Sequence, residues 1–458
     1  MLQVMIKKFF VKMTLVAMIV VTGCQTIELC PSVMDVDNCT PSFSVSTKVT
    51  PTHLDAYFNG YNGISNTRSV DISITPILNG IDTVMYLVNY PEGGWEVLSA
   101  DLRMPKVLVQ CDEGNITEKD LVANPSEEFL YNKLKSYTSY LHENPYVLVE
   151  SGGDDWSDVS SLSIDPSLDG DDLPGIGWLH IGTETVYDTL VQNHLLSTRW
   201  GQGNDWNSKM PYTSAAKTER CVTGCVMVAA AQVLYYLHSK IGVPEKTFGD
   251  CIIDKFVPDT LDYILVFSRD VTFVSPSYQD YVWDMMPLYA DQEGVSDLAY
   301  GAVSTLMLQL GVYMNARYYA DRYTSCWTDR IPNAFSSHYD ISCVGHDYRP
   351  DSLYNQIMVN KMPVIINMHA EETGGHSAVV DGMKEITQFT KYTYLRTGVS
   401  ETIYKYEYEE GQKSYLMTIN WGWDGVYDNR WYNPYVIYWG SMDLYTSSSD
   451  MVYGFEAI

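Results

Sequence analysis

The sequence predicts an α+β protein, and three observations carry that prediction. A long, almost wholly apolar segment, Val226 to Leu237, and a second helical pattern at Tyr300 to Leu310 occupy the middle of the chain. Strand-like segments follow them at Pro363–Met368, Ser377–Val380, Leu395–Thr397 and Tyr415–Asn420. Helices in one block and strands in another, without alternation, mark the α+β class. The amino-terminal third holds a separate mixture of short strands and one helix, so the 458 residues predict two or three domains.

Taken in order, the chain opens on MLQVMIKKFFVKMTLVAMIVVTGCQ. Lys7, Lys8 and Lys12 form a basic start, and Met13 to Val21 an apolar run too short to span a bilayer comfortably. This is the pattern of an export signal over residues 1–23. The ending Val21-Thr22-Gly23-Cys24 looks like a bacterial lipobox, which makes Cys24 a lipidation site and the protein an exported envelope lipoprotein. The alternative is an ordinary signal peptide and an extracellular protein.

Residues 24–150 read as an α+β unit. Val70–Ile77, Val84–Tyr90, Trp95–Ser99 and Val107–Cys111 are β-rich, with a Gly-Gly turn between the second and third. SEEFLYNKLKSYTSYLHEN reads as a helix with Ser126 as its N-cap. Residues 151–188 are rich in Ser, Asp, Gly and Pro; they read as an exposed linker and a place for a protease to cut. Asp169, Asp171 and Asp172 lack the spacing of a calcium loop. Residues 189–458 form the remaining domain.

Composition narrows the function. A formal net charge of −28 argues against nucleic-acid binding, which needs basic clusters, and disfavours anionic membrane surfaces. Nine cysteines in a chain this long are not a small disulfide scaffold. No metal site or cofactor is expected; Cys221 and Cys225 with Cys343 and His346 lack zinc-site spacing.

The chemistry concentrates at Cys225. A lone cysteine before an apolar run is ordinarily a core residue. With Thr223 as N-cap, however, Cys225 falls in the first turn of a buried helix, where the helix dipole favours thiolate over thiol. The thiolate is the nucleophile, and an imidazolium beside it lowers its pKa further. Among nine histidines, His376 stands out in ETGGHSAVVDG, between glycines and a strand. It lies about 150 residues downstream of the thiol, a separation described for papain-type enzymes. His238, at the helix end, reads as structural, and a metal pair of His369 with His376 has no supporting ligands. Gln202, in a Gly-rich turn, is a candidate oxyanion donor beside the Cys225 N–H. Asn420, flanked by Trp421 and Trp423, is a candidate partner for the imidazole N–H.

Four segments in order, RWGQGNDWN, TGCVMVAAAQVLYYLH, GGHSAVVDG and INWGWDG, together resemble the streptopain family of papain-superfamily cysteine peptidases. NYPEGGWEVLSADLRMPKVLVQCDEG is similar to the propeptide of those enzymes. The resemblance implies a papain-like catalytic domain, helical on one side and antiparallel sheet on the other, preceded by an α+β pro-domain. It implies a zymogen that cleaves proteins or peptides, with its pro-domain as intramolecular inhibitor. It assigns Cys225 as nucleophile, His376 as base then acid, Gln202 as oxyanion donor, and the third role to Asn420 and Trp421, with the choice between them open. Thr223, Val226 to Val228, Ser377 and Asp424 depart from the family's usual residues, but none is a reacting group.

Two other readings use the same residues differently. One keeps the fold and acts as a Cys-His amidase or transpeptidase on cell-wall peptides. The other is a non-catalytic surface lipoprotein that binds through its 36 tyrosines and 11 tryptophans. A binder has no need of a reactive thiol, and this separates it from the enzymes.

Overall fold

The computed structural model describes residues 47–61, 72–123, 125–145, 147, 149, 156, 178–243, 251–273, 283–321, 323–368, 375–396, 402–426, 428–440 and 450–458. The export signal, Cys24, the aspartates of residues 169–172, His369 and Gly374 lie outside them. Residues 46–458 form one compact unit.

Its frame is an 11-stranded sheet. The strands are β1 (Ser73–Asn79), β2 (Asp82–Asn89), β3 (Trp95–Ser99), β4 (Val107–Cys111), β5 (Trp178–Gln192), β6 (Ile341–Asp347), β7 (Val364–Met368), β8 (His376–Arg396), β9 (Tyr404–Asn420), β10 (Trp431–Tyr432) and β11 (Asp450–Ala457). Their order is β1-β2-β3-β4-β10-β9-β8-β7-β11-β6, with β5 paired to β8. Every pairing is antiparallel. The main helices are α1 (Pro51–Tyr61), α2 (Pro125–Glu143), α3 (Cys225–Ile241), α4 (Asp297–Tyr313), α5 (Ile331–Tyr339) and α6 (Pro434–Gly440).

The expected classes hold, with corrections at the boundaries. β3 and β4 fall on the expected residues. The helix expected from Ser126 begins at Pro125, a residue whose missing N–H suits the first helical position, so Ser126 lies inside the helix. The expected linker does not extend to residue 188. Residues 178–192 are β5, in register with β8 from Met383↔Gln192 to Arg396↔Trp178. A domain boundary at 189 therefore falls inside a strand. Composition hid this strand because most of its side chains are exposed, so it lacks a buried apolar face to announce it. The segments at Ser377–Val380 and Leu395 belong to one 21-residue strand, bent at register shifts near Val380 and Thr387.

Among the described residues three hydrophobic cores form, the smallest around Leu54, Tyr57, Leu98 and Trp156, and the two larger ones position the site. One joins α3, α4 and α5 to residues such as Ile365, Val379 and Phe455 on the sheet. In α3 Val226 to Leu234 are all buried, and the helix packs against α4, β7, β8 and β11. Such all-round burial follows from a helix apolar on every face. The second core joins Trp95, Val97 and Leu108 of the amino-terminal strands, and Leu130 and Leu134 of α2, to Met417, Trp421, Tyr432 and Val436. The amino-terminal strands extend the same sheet: β4 pairs with β10 through Gln110↔Trp431 and Val109↔Tyr432. Among the described residues, no helix is long and apolar enough to cross a membrane.

Candidate active site

The site forms where the start of α3 meets the start of β8 and the end of β9. Cys225 is the first residue of α3, and its N-cap is Gly224, at φ 94°. This corrects the expected cap: Thr223 stands one residue earlier, where its hydroxyl donates to the Gln202 carbonyl at 3.1 Å. Glycine is required at 224 on two counts. The dihedral lies in the left-handed region, and a Cβ there would stand 2.6 Å from the Met227 Cε and 3.0 Å from the Thr324 Cγ2. The turn into the helix is held by the Thr324 hydroxyl, which donates to the Val222 carbonyl at 2.7 Å.

His376 opens β8, opposite Met368 of β7, directly after Gly375 at φ 79°. Its Nε2 lies 2.9 Å from the Trp421 carbonyl oxygen. That occupies one ring nitrogen and leaves Nδ1 for the Cys225 sulfur, with which the ring is hydrogen-bonded. The Trp423 ring stacks on the imidazole at 5.6 Å and 15°, and the Trp421 ring lies at 6.1 Å and 28°.

Electrostatics favour the charged pair. Burial works to raise the Cys225 thiol, but the His376 charge and hydrogen bond, with backbone N–H groups of Ser377 and Val226, bring it below its ordinary value. Burial works to lower His376, but the Cys225 hydrogen bond and charge, with the Trp421 carbonyl, raise it. The two shifts favour thiolate beside imidazolium. Cys221 is wholly buried, and burial pushes its thiol up to about 12. Burial likewise pushes Cys326 and Cys343 up to about 12.

Gln202 sits beside the helix start. Its backbone carbonyl accepts the Thr223 N–H at 2.9 Å, and its side chain is half-buried. Asn420 is placed otherwise than expected. It is 3% exposed, at the end of β9. Its amide donates to the Thr198 carbonyl at 2.9 Å and to the Gln232 Oε1 at 3.1 Å. Its Oδ1 accepts from the Gln232 Nε2 and the Gly422 N–H, both at 3.1 Å. Two donors and two acceptor positions are all that an asparagine amide has, so none remains for the imidazole. The imidazole partner is thus the backbone of Trp421, and Asn420 holds the turn on which Trp421 sits.

Sequence reasoning missed Gln232. Its signal was present: it is the one polar break in the apolar run, seven residues after Cys225 and so two turns along the same helix face. Its Oε1 also accepts the Trp200 N–H at 3.2 Å, which ties the Gln202 turn, α3 and β9 together. Asp424 was noted only as a departure; it takes φ 56° and accepts the Trp206 indole N–H, closing the Trp-rich turn onto the Gln202 segment. His238 stacks on Trp283 at 4.8 Å, away from this cluster.

A thiol at a helix start, an imidazole hydrogen-bonded to it, and a papain-like arrangement of helices against antiparallel sheet define a cysteine peptidase. Residues 200–432, 233 of the 458, match the Peptidase C10 family, and the chain belongs to that family. Streptopain of Streptococcus pyogenes is 22% identical over 365 residues, covering 75% of this chain and 72% of that protein. A solved fragment of Prevotella intermedia prointerpain A, with a cysteine replaced by alanine, shares the fold. It has a TM-score of 0.50 and 20% identity, covering 83% of this chain and 98% of that one.

Proposed function

We propose that the protein is an exported endopeptidase, made as a zymogen, that cleaves peptide bonds through a Cys225 acyl-enzyme. The observation that carries this reading is the Cys225–His376 contact, with His376 Nε2 on the Trp421 carbonyl. The Cys225 thiolate attacks the scissile carbonyl carbon, forming a C–S bond and an oxyanion. The Cys225 N–H, unpaired within the helix at its first position, and the Gln202 amide are the donors to that oxyanion. As the C–N bond breaks, the His376 imidazolium gives its proton to the leaving amine. Neutral His376 then takes a proton from water, which attacks the thioester and releases the acid and the thiolate.

The amino-terminal strands and α2 act as the pro-domain. Their support is the β4–β10 pairing and the Asn433 N–H donated to the Leu108 carbonyl at 2.9 Å, both just beyond the Trp421 turn. The Cys225–His376 pair is already in contact with this domain in place, so inhibition works on access to the cleft. The pairing of β5 with β8 supports a mature domain that begins at or before Trp178, with the cut upstream. Residues 1–23 serve as export signal, and lipid on Cys24 anchors the protein to the envelope.

Incubating the full chain with casein tests the function. The expected result is casein cleavage together with conversion to a fragment of about 30 kDa, the mass of the residues from Trp178 onward. Peptide release from peptidoglycan without casein cleavage would replace this reading with the amidase. Gln202→Ala is expected to lower kcat by about 10²–10³-fold with little change in KM, because it removes a donor used in the transition state. Steady-state kinetics on a fluorogenic peptide checks this.

A further inference from the structure

We propose that Asp428 is a positioning residue for His376, acting through the backbone of Trp421; the proposal rests on the thiol-peptidase reading above. Trp421 is gripped on both sides. Its carbonyl takes the His376 Nε2 hydrogen bond at 2.9 Å, and its N–H donates to the Asp428 carboxylate. Fixing both polar groups of one residue fixes the direction of its carbonyl, and the imidazole orientation follows from that carbonyl.

Asp428 is only 6% exposed, and its Oδ1 has no hydrogen-bond partner among the described residues. A buried carboxyl with one oxygen unpaired is destabilising, and a native structure keeps one where it serves a purpose. The surrounding charges are specific. Asp381, on the same strand as His376, is 1% exposed and accepts from the Thr418 hydroxyl at 3.0 Å. His194 Nδ1 lies 3.0 and 3.1 Å from its two oxygens. Asp381 repels Asp428, whereas His194 and Arg199 attract it. Burial, with Asp381, pushes the Asp428 carboxyl up to about 7, against the Trp421 N–H and those two cations. Its charge therefore changes within the range where a thiol peptidase works, and the ionised form grips the Trp421 N–H more strongly than the neutral acid.

The test compares the full-length parent, Asp428→Asn and Asp428→Ala. The rate of Cys225 alkylation by iodoacetamide is measured from pH 5 to 9, and the His376 Nε2–H proton is followed by NMR in nitrogen-15-labelled protein. Asp428→Ala is expected to slow alkylation at pH 8, where the parent carboxyl is ionised, by about tenfold, the size of effect seen when the partner orienting an imidazole is lost. It should also broaden the Nε2–H signal through exchange with water. Asp428→Asn keeps a carbonyl acceptor for the Trp421 N–H. It should retain the signal and most of the rate but lose an inflection near pH 7 present in the parent. A folded Asp428→Ala protein with the parent's profile and signal overturns the proposal. Should Asp428→Ala not fold, an inflection that persists in Asp428→Asn overturns it. Parent Cys225 alkylated no faster than a free thiol would sink the peptidase reading itself, while the Nε2–H signal would still judge Asp428.

Discussion

Cys225→Ala is expected to abolish proteolysis and leave the chain at full length, with a loss of hydrolysis on the order of 10⁶-fold. The size follows from chemistry: alanine offers no nucleophile, and the remaining groups only bind and polarise. The same variant is expected to remove the fast iodoacetamide label on residue 225 at neutral pH, although other thiols remain. Burial pushes Cys221, Cys326 and Cys343 up to about 12, so at pH 7 each stays the unreactive thiol. Cys225, lowered by His376, labels first. The labelling rate should therefore stay high well below the pH at which an ordinary thiol ionises. Hydrolysis should fall at high pH as His376 loses the proton that the leaving amine needs, and the raised imidazole pKa moves that limb upward. Mass spectrometry of the labelled protein checks the site. Label on Cys221 instead, or casein cleavage by the alanine variant, would refute the assignment.

Asn420→Ala is the second large effect, and it falls on stability first. Truncation strands the Gln232 Nε2, the Thr198 carbonyl and the Gly422 N–H in a buried site. Each orphaned group costs about 1–3 kcal/mol, and partial relaxation leaves a net loss of about 3 kcal/mol. That is a large share of the roughly 5–15 kcal/mol that holds a typical domain. A double-mutant cycle with Gln232→Leu separates the pair from its surroundings: the joint loss should be smaller than the sum by about 1–3 kcal/mol, read from denaturant midpoints. Activity should fall with the displaced Trp421 turn, but the pH limbs should stay where they are. A direct Asn420–imidazole bond would instead move the alkaline limb, and that shift would return Asn420 to the role expected from sequence.

The apolar run from Val226 and the cysteine before it were legible because helix burial leaves a local trace in residue type. β3 and β4 were legible for the same reason: apolar strands between turn residues carry their own signal. His376 was legible from its glycine neighbours, and Gly375 does take a backbone that favours glycine. β5 was not legible, because an exposed strand is held by backbone pairing to β8 and its side chains record little of it. Gly224 rather than Thr223 caps α3 because Thr223 is drawn to the Gln202 carbonyl, a partner 21 residues away.

The sequence by itself marked the residues that meet at the candidate site: a thiol at a helix start, an imidazole at a strand start, an amide in a turn, and a tryptophan at a strand end. Those are properties of residue type and local pattern. Tertiary structure alone decided the wiring among them. It gave the imidazole to the Trp421 carbonyl and spent the Asn420 amide on Gln232, Thr198 and Gly422. The reason is that a buried amide must satisfy all its donors and acceptors at once, and which partners can do so depends on the strands and helices that packing brings within 3 Å or so.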